Sequence, residues 1–511
     1  MASNPPVFRA INPATGEAIP PDYQSASPAD LEQAAHSATA AFPRLERLPG
    51  GVRARFLRKV ATNIEALGQS LFDRVMSETG LPAGRVQGET ARTCGQLRLF
   101  ADVAEEGSWV DARIDRADPD RKPACRPDVR SMLKPIGPVA VFGASNFPLA
   151  FSVAGGDTAS ALATGNPVIV KAHPAHPGTS QMIGQAIVDA VCECDLPDGT
   201  FSLLFDSGYQ IAVALVSHPQ IKAVGFTGSR KGGRALMDAI ARRPDPIPFY
   251  GEMSSVNPVF FLPGVFRESW EGRVAGLFAS LTGAAGQFCT KPGIFFVESA
   301  HGDAFAGCLR DMLSNNGVAT MSTPGISRAY EQGVSERQKH SSVQTLLRGE
   351  AVAGAAQVQA ALFRTDVRSF LADPSLGDEI FGPVGVLTTY SNRAELLEIA
   401  HSLEGQLTAT VHGTPEDLDS YADLLSILEK KAGRLIFNGF PTGVEVGHAM
   451  VHGGPWPATS DGRSTSVGTR AIARFVRPVC YQDFPQSSLP DELKDANPLK
   501  IWRIVDGRLT H

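Results

Sequence analysis

The sequence predicts an α/β protein that is built on two parallel sheets, and three observations support this fold class. From about residue 136 onward, short runs of β-branched and aromatic residues alternate with longer Ala-rich amphipathic stretches, which is typical of βαβ units. A second alternating series begins near Pro258. The chain has 511 residues, which is more than one hydrophobic core usually supports. We therefore expect two α/β domains.

The first alternating series predicts half of a doubly wound sheet. Its strands are expected at residues 138–142, 167–171, 201–205 and 223–227. Helices are expected near residues 151–164, 179–194, 210–217 and 231–241, and most of them are bounded by Gly or Pro.

The second series predicts a second α/β domain. Its strands are expected at residues 259–262, 294–298, 384–390, 407–412 and 435–438. Helical segments such as 270–281 and 415–431 lie between these strands.

Two polar segments outside these series are predicted to form arms. Residues 117–135 are rich in Arg, Asp and Pro and precede the first strand of the first series. The tail after Arg474 is β-prone but interrupted by Pro, which is compatible with an additional strand at the edge of a sheet. We interpret the two segments together as oligomerisation arms.

Composition excludes several function classes. The chain has 47 basic and 53 acidic residues and no basic block, so nucleic acid is not an expected partner. We see no secretory signal and no 18-residue uncharged apolar run, so we expect a cytoplasmic protein without a membrane partner. Seven widely spaced cysteines do not suggest a disulfide framework. Neither the Cys192 and Cys194 pair nor the His448 and His452 pair has the pattern of a zinc site, and we expect no metal.

Cys289 is the candidate nucleophile. It follows a small-residue segment and precedes Lys291, Pro292 and Gly293, in a predicted turn where its backbone amide could be free. An ordinary thiol is only a few per cent ionised at neutral pH, so reaction requires nearby positive charge, free amides or a base. Taken alone, a cysteine is more often a small buried apolar residue than a nucleophile.

Three further segments carry candidate functional groups. Asn146 directly follows a predicted strand and could donate to an oxyanion, or it could form an Asx turn. Glu252 lies in a mostly uncharged stretch, where desolvation would raise its pKa towards that of a useful base, or it could be a capping or surface glutamate. The turn from Phe226 to Gly233 closes a strand and opens a helix, which favours phosphate, but it lacks the G-x-G-x-x-G pattern.

Together these segments resemble the aldehyde dehydrogenase superfamily, and the resemblance extends from Asn12 to about Arg474. The matching residues, in the family's order and spacing, are Asn146, Lys171, Phe226 to Ser229, Glu252, Gly286 to Cys289, and Glu379 to Pro383. The resemblance implies the α/β aldehyde dehydrogenase fold. It would comprise a Rossmann-like cofactor-binding domain (1–116 and 136–252), an α/β catalytic domain (253–455) and a β oligomerisation arm (117–135 and 472–511). A homodimer or homotetramer is implied as well.

The resemblance also implies catalytic roles. Cys289 would be the nucleophile, Asn146 and the Cys289 amide would form the oxyanion hole, and Glu252 would be the general base. An aldehyde would be oxidised to a carboxylate through a cysteine thiohemiacetal and a thioester.

The cofactor implied by the resemblance is NADP, with NAD as the alternative. Lys171 would contact the adenosine ribose. The turn containing Gly228, Ser229, Arg230 and Gly233 would border the pyrophosphate, and Glu379 with Phe381 would hold the nicotinamide ribose. Relatives that prefer NAD often carry glutamate three residues after the lysine, where this chain has Pro174. Because His173, His176 and Arg230 could add donors for a 2′-phosphate, we expect NADP to be preferred.

Two substrates remain open. Residues 142–180 resemble bacterial 2,5-dioxovalerate (α-ketoglutaric semialdehyde) dehydrogenases and also an NADP-dependent fatty aldehyde dehydrogenase. A keto-acid aldehyde needs a cation for its carboxylate, for which Arg463 is the candidate. A long or medium-chain aldehyde needs an apolar tunnel, for which Phe147, Phe288 and Trp456 are candidates. We favour 2,5-dioxovalerate, with 2-oxoglutarate as product.

Two different functions are also compatible with this fold. The thioester could be released to coenzyme A instead of water, although Glu252 argues against this because that branch of the family can dispense with the base. The chain could also be a catalytically silent structural or binding protein. The complete set of Cys289, Asn146 and Glu252 favours an active enzyme.

Overall fold

The computed structural model describes residues 5–267, 270–349, 352 and 354–511. The chain starts with an antiparallel hairpin of β1 (Val7–Ile11) and β2 (Ala18–Gln24). Four helices follow: α1 (Pro28–Leu45), α2 (Gly50–Ala66), α3 (Gly68–Thr79) and α4 (Ala83–Glu106). Helix α4 packs along α2 and against the first parallel sheet's helices. No helix in the described ranges combines the length and apolar character needed to cross a bilayer.

Two short strands then lead away from this helical region. They are β3 (Arg113–Asp115) and β4 (Val129–Pro135), which pair antiparallel.

The first parallel sheet has five strands in the order β7-β6-β5-β8-β9. The strands are β5 (Val139–Phe142), β6 (Val168–Lys171), β7 (Phe201–Leu204), β8 (Ala223–Thr227) and β9 (Phe249–Glu252). The connecting helices are α5 (Gly156–Thr164), α6 (Pro177–Glu193), α7 (Gln210–Ser217) and α8 (Arg230–Ile240). All neighbouring strands are parallel. The four predicted strands are confirmed to within one residue at each end, whereas β9 was not predicted.

The helix predicted from residue 151 begins five residues later, at Gly156. The intervening residues form turns, and the Glu89 carboxylate accepts hydrogen bonds from the backbone N–H groups of Leu149 and Ala150. A buried carboxylate therefore replaces the helical hydrogen bonds that these amides would otherwise make.

The second parallel sheet contains seven strands in the order β13-β15-β16-β11-β10-β17-β18. The strands of this region are β10 (Val259–Phe261), β11 (Ile294–Glu298), β12 (Ala319–Thr320), β13 (Gln344–Arg348), β14 (Gln357–Val358), β15 (Ala361–Asp366), β16 (Val384–Tyr390), β17 (Gln406–His412) and β18 (Ala432–Phe437). Only β13 is antiparallel to its neighbour within the described sheet, and β12 pairs with β14 separately.

The helices of this region are α9 (Glu271–Thr282), α10 (Ser299–Ser314), α11 (Pro324–Lys339), α12 (Val367–Ala372), α13 (Arg393–Ser402), α14 (Pro415–Ser420) and α15 (Ala422–Leu428). The single helix predicted at 415–431 is wrong. The backbone leaves helical geometry at Tyr421, with φ −113° and ψ 29°, and divides the segment into α14 and α15.

The C-terminal strands are β19 (Val476–Gln482), β20 (Arg503–Val505) and β21 (Arg508–Thr510). They join β3 and β4 in a sheet of order β19-β4-β3-β20-β21. The additional edge strand predicted after Arg474 is confirmed as β19, and its Pro478 is tolerated because an edge strand has one unpaired side. The domain boundaries proposed from the sequence remain a prediction.

Candidate active site

The loop between α9 and β11 carries Cys289 in a constrained turn. Ala284 and Ala285 adopt left-handed backbone conformations with φ 48° and 57°. Gly286 follows with φ 67°, and a Cβ at this position would collide with the backbone of Gly382. The glycine therefore permits close contact between the Cys289 loop and the segment 379–383.

The side chain of Asn257 holds the backbone at Cys289. Its amide donates to the carbonyl oxygens of Cys289 at 2.9 Å and Lys291 at 3.0 Å. Asn257 is itself left-handed, with φ 51°, and its backbone N–H donates to the buried Gln406 side chain at 3.1 Å. None of the described residues accepts a hydrogen bond from the Cys289 backbone N–H, as the sequence suggested for this turn.

Glu252 ends β9 and lies against a segment from the far end of the chain. The backbone N–H of Met253 donates to the Ala458 carbonyl at 2.8 Å, and Glu252 forms a β-bridge with Thr459. These contacts bring the His452 side chain beside the Glu252 carboxylate.

Cys289, His452 and Glu252 form a connected group. His452 Nε2 lies 3.4 Å from Cys289 Sγ and 2.8 Å from Glu252 Oε1. The Ser466 hydroxyl donates to Glu252 Oε2 at 2.5 Å. The His452 and Glu252 side chains are buried. One donor atom from each of the three residues lies within 4.8 Å of the other two, a spacing that a proton relay and a metal site share.

Burial and charge set the protonation of this group. Burial raises the pKa of the Cys289 thiol well above its ordinary value, the Glu252 charge adds to this, and Arg92 opposes it. Burial also acts to raise the pKa of Glu252, but the charge and hydrogen bond of His452 and the hydrogen bonds of Ser466 and Cys289 outweigh it. The net pKa of Glu252 is lowered, so the sequence expectation of a raised pKa is wrong. Glu252 is therefore ionised at neutral pH.

Asn146 faces the same loop from the first sheet. It follows β5, and its side-chain amide donates to the Gln287 carbonyl at 2.8 Å. An amide nitrogen has two N–H groups, so one remains for a ligand oxygen. The side chain is thus oriented by the residue two positions before Cys289.

Aromatic residues and two arginines lie next to the reacting group. Phe147 packs edge-on against Phe151 and Phe288, with ring centroids 5.2 and 5.8 Å away. The Arg85 guanidinium lies 4.4 Å from the Phe147 centroid and 4.8 Å from that of Phe288. Arg92 lies 5.9 Å from Phe147 and 5.2 Å from Phe151. The surface next to the reacting group is therefore formed by aromatic rings, with two arginine guanidinium groups packed against them.

The other two candidate substrate residues are not in this cluster. Trp456 packs with Arg230, whose guanidinium lies 5.8 Å from its ring centroid. The Arg463 side chain is 93% exposed and pairs with Asp461 at 3.1 Å. The structure does not bring Arg463 to the reacting group.

Lys171 and His173 follow β6 at the carboxyl edge of the first sheet. Lys171 is buried, which lowers its pKa, and it makes no ion pair with any described residue. His173 stacks on His176, and burial lowers its pKa well below the ordinary value, so its ring is neutral. A buried ammonium beside a neutral imidazole fits hydroxyl groups of a ribose, but His173 brings no charge for a phosphate.

The turn after β8 begins α8. The Ser229 hydroxyl accepts from the Gly232 N–H at 3.1 Å, and the Gly228 N–H donates to the Glu252 carbonyl at 3.1 Å. A Cβ at Gly233 would lie 2.6 Å from Met253 Sδ, so this glycine serves close packing.

Arg230, expected as a phosphate donor, has another partner. It forms two hydrogen bonds with the Glu404 carboxylate, at 2.9 and 3.3 Å. This pair joins the first α/β unit to the second.

Glu379 and Phe381 lie in the segment that Gly286 contacts. Burial raises the pKa of Glu379, and the charge of Lys291 opposes this. Lys291 Nζ donates to the carbonyls of Ile380 at 3.2 Å and Val384 at 3.0 Å. Phe381 is partly buried.

The structure therefore brings Cys289, Glu252 and Asn146 together at the carboxyl edge of the first sheet and the amino edge of the second. Sequence reasoning missed His452 and Asn257. His452 was considered with His448 only as a possible zinc pair, and no local pattern points to partners 163 and 200 residues away.

Comparisons with known proteins identify the family of the chain. A model of the aldehyde dehydrogenase family matches residues 1–466. Two proteins named α-ketoglutaric semialdehyde dehydrogenase are similar over essentially the full length. That of Azospirillum brasilense, whose name carries the number 2, is 48% identical over 99% of this chain and 97% of that protein. That of Acinetobacter baylyi is 45% identical over 100% and 97%.

Solved structures show the same fold. Glyceraldehyde-3-phosphate dehydrogenase of Methanocaldococcus jannaschii, complexed with NADP, superposes with a TM-score of 0.79 and 20% identity, covering 94% of this chain and 99% of that one. Aldehyde dehydrogenase 21 of Physcomitrella patens, complexed with its product succinate, has a TM-score of 0.78 and 20% identity, with coverage of 94% and 96%.

Proposed function

Because the chain belongs to the aldehyde dehydrogenase family, we propose that it oxidises 2,5-dioxovalerate to 2-oxoglutarate with NADP⁺ or NAD⁺. The observation that carries this proposal is the full-length identity of 48% and 45% to two α-ketoglutaric semialdehyde dehydrogenases. The connected cysteine, histidine and carboxylate support the reaction class, because each has a task in aldehyde oxidation.

The first task is to generate and place the nucleophile. Cys289 Sγ adds to the aldehyde carbon as a thiolate, and its proton passes to the Glu252 and His452 pair. His452 Nε2 faces both the sulfur and the carboxylate, so the positive charge that forms on the imidazole is held by Glu252 at 2.8 Å. Burial and the charge of Glu252 keep the resting thiol protonated, so the proton leaves as the sulfur attacks the carbonyl carbon.

The second task is to stabilise the negative oxygen of the tetrahedral adduct. The free amide N–H of Asn146 and the backbone N–H of Cys289 are the two donors, and Gln287 keeps the first oriented. Loss of one such donor typically costs about 10²–10³ in rate.

The third task is to release the product. Oxidation of the adduct to a thioester on Cys289 requires a hydride acceptor, which a bound nicotinamide cofactor would supply. Glu252 is ionised at neutral pH and accepts a proton from the water that hydrolyses the thioester. The product is then a carboxylate.

Residues at the carboxyl edge of the first sheet would hold the cofactor. Lys171 would offer a buried ammonium to the adenosine ribose, the start of α8 would border the pyrophosphate, and Glu379 with Phe381 would hold the nicotinamide ribose. NADP remains our expected preference, although fewer positive side chains are available to bind a 2′-phosphate than the sequence suggested. His173 is neutral, and Arg230 would have to leave Glu404 to contribute.

The test is a substrate panel with the purified chain and both nucleotides. We expect kcat/KM for 2,5-dioxovalerate to exceed that for hexanal and decanal by about 10-fold or more, with NADP preferred. The Cys289→Ala variant should form no reduced nucleotide. Larger values for the aliphatic aldehydes, or for NAD, would contradict the substrate or the cofactor preference, respectively.

Two further outcomes would indicate a different function. Formation of acyl-CoA on addition of coenzyme A would indicate transfer instead of hydrolysis. Absence of turnover with every aldehyde would favour a catalytically silent protein. A cytoplasmic homodimer or homotetramer remains part of the proposal.

A further inference from the structure

Helix α4 presents a charged face to the loop that follows Asn146. Arg85, Glu89 and Arg92 are spaced by four and three residues and therefore share this face. Glu89 is held by the N–H groups of Leu149 and Ala150, at 2.9 and 3.0 Å. The helix is thus fixed against the segment that carries Phe147 and Phe151, and its arginines reach the lining of the candidate site.

Arg92 differs from the other arginines of this region in its hydrogen bonds. Its Nε and Nη2 are both shielded from solvent, and neither has a hydrogen-bond partner among the described residues. Arg85, by contrast, donates Nε to Glu89 at 3.4 Å. Arg434 also has an unpaired Nε, but it donates both terminal nitrogens to backbone carbonyls. Unpaired donors on a buried guanidinium are costly, and an incoming acceptor would relieve that cost.

The unpaired atoms form the edge that binds a carboxylate side-on. Arg130 of the same chain uses this edge, with Nε and Nη2 donating to the two oxygens of Asp128 at 2.7 and 2.9 Å. Such paired, charge-assisted hydrogen bonds recognise a carboxylate by geometry as well as by charge.

The position of Arg92 is also suited to a substrate whose carbonyl carbon is at Cys289. Its guanidinium lies against Phe147, which contacts Phe288, the residue next to Cys289. The charges of Cys289 and Glu252 both act on Arg92, whose pKa is lowered by burial. A short chain bonded to the sulfur would therefore extend past aromatic rings towards this cation.

We propose that Arg92 binds the distal carboxylate of an ω-carboxylated aldehyde through its Nε and Nη2 edge and so determines substrate specificity. The inference rests on the proposed function, because it assumes that the aldehyde carbon reacts at Cys289. It replaces Arg463 as the cation for the carboxylate. Because Nε and Nη2 are shielded from solvent, side chains around the guanidinium must move when the carboxylate binds.

The test compares two aldehydes of equal length, 5-oxopentanoate and pentanal, which differ in the terminal carboxylate. In wild type we expect the carboxylated aldehyde to be preferred. Arg92→Met should lower the ratio of the two kcat/KM values by about 100-fold, mainly through KM for 5-oxopentanoate. Arg92→Lys keeps the charge but not the planar edge, so we expect a decrease of about 10-fold.

Arg98→Met is the matched control. Arg98 lies on the same helix but is exposed and paired with Glu65, so both kcat/KM values should stay at wild-type levels. If Arg92→Met lowers turnover of both aldehydes equally, Arg92 supports the aromatic cluster and the proposal is overturned. A wild-type ratio in either Arg92 variant, or no wild-type preference for the carboxylated aldehyde, would also overturn it.

The same measurements separate this inference from the proposed function. Inclusion of 2,5-dioxovalerate shows whether the keto acid is the favoured substrate. If it is poor while 5-oxopentanoate is preferred in an Arg92-dependent manner, the proposed substrate is wrong and the role of Arg92 is supported. If Arg92→Met folds poorly, the Arg92→Lys ratio still decides.

Discussion

His452 makes both of its contacts at the site with one nitrogen. Nε2 faces Cys289 Sγ and Glu252 Oε1, whereas Nδ1 is buried without a hydrogen-bond partner among the described residues. A proton that passes from the sulfur to Nε2 would therefore remain next to the Glu252 carboxylate. Because burial and the charge of Glu252 both favour the neutral thiol, Cys289 needs a proton acceptor when it reacts, and His452 Nε2 lies 3.4 Å from its sulfur.

This dependence predicts the pH response of thiol alkylation. A raised pKa lowers the thiolate fraction at a given pH, so inactivation by iodoacetamide should rise steadily from pH 7 to about pH 9 without a plateau. His452→Asn removes the imidazole that accepts the thiol proton and leaves only the Glu252 carboxylate. This variant should therefore be inactivated about 10-fold or more slowly at pH 7. Loss of activity is the measurement, since exposed cysteines also react.

The exposed His448 supplies the control for this experiment. His448→Asn should inactivate at the wild-type rate at every pH. A plateau below pH 7 in wild type would mean that the thiolate is stabilised without cofactor, contrary to the raised pKa of Cys289.

The same three donor atoms also predict the effect of metal chelation. If Cys289, His452 and Glu252 act as a proton relay, extended dialysis against EDTA should leave kcat unchanged, and the purified protein should contain no stoichiometric zinc or iron. The measurements are elemental analysis and turnover before and after dialysis. Loss of activity that added metal restores would show that the group is a metal site.

The functional residues that could be identified from the sequence are those that lie in local motifs. Cys289, Asn146 and Glu252 are each flanked by a recognisable segment, and all three meet in the structure. His452 has no such segment, because its partners are brought to it by the β-bridge between Glu252 and Thr459. Arg463 was selected by its charge and position in the sequence, which do not show that its side chain points to solvent.

At the scale of elements, loops at the amino ends of the second sheet's strands carry the chemistry. Asn257 precedes β10, Cys289 precedes β11, and Gln406 begins β17. These strands are neighbours in the sheet, so a single hydrogen-bond network can hold all three loops. The geometry of Cys289 therefore depends on side chains that do not touch the substrate.

Asn257→Ala tests this dependence. The variant loses the hydrogen bonds to the carbonyls of Cys289 and Lys291 and leaves these carbonyls unsatisfied, which should destabilise the protein by about 1–3 kcal/mol. We expect kcat to fall by about 10-fold or more with a smaller change in KM, because the nucleophile is misplaced while the lining is intact. Steady-state kinetics and thermal unfolding measure the two effects.

Asn315→Ala is the corresponding control, since Asn315 is exposed at the end of α10 and bonds only locally to Asp311 among the described residues. A similar loss of kcat in this variant would contradict a specific role for Asn257. A change in KM alone for Asn257→Ala would do so as well.

The sequence predicted the central strands well and the irregular connections less well. Runs such as β11 and β16 are buried on both faces, and their continuous apolar character is visible without a structure. The late start of α5 was not visible, because it depends on Glu89, a residue about 60 positions earlier in the chain. The edge strand β13 and its neighbour β15 were missed, since β13 is only partly buried and β15 is continued directly by α12.

At the scale of the whole molecule, the catalytic group spans two sheets. Asn146 and Glu252 follow strands of the first sheet, and Cys289 precedes a strand of the second. The Arg230 and Glu404 pair is one link between these parts, and the segment containing His452 is another. The resemblance to a known family supplied this arrangement from the sequence, whereas periodicity alone predicted two domains without their relative placement.

The C-terminal strands predict an assembly of more than one chain. Phe484 and Trp502 are 47% and 49% exposed, and Leu509 is 68% exposed, all in the C-terminal segment that follows β19. Isolated exposed apolar residues are ordinary, but these lie at the two edges of the described sheet. Phe484 follows the edge strand β19, Trp502 precedes β20, and Leu509 lies in the other edge strand, β21. A second copy of the chain would cover both features.

We therefore expect the protein to sediment as a dimer or tetramer. The double variant Phe484→Asp and Trp502→Asp should weaken association by about 100-fold or more, because buried aromatic anchors dominate such interfaces. Sedimentation velocity over a range of concentrations measures this. Tyr209→Asp is the control, since Tyr209 is 84% exposed but lies in the first α/β unit, far along the chain from the arm. A monomeric wild type, or equal dissociation by Tyr209→Asp, would argue against the arm as the interface. Retention of the oligomer by the double variant would lead to the same conclusion, because two charges cannot be buried at an apolar contact without a large loss of affinity.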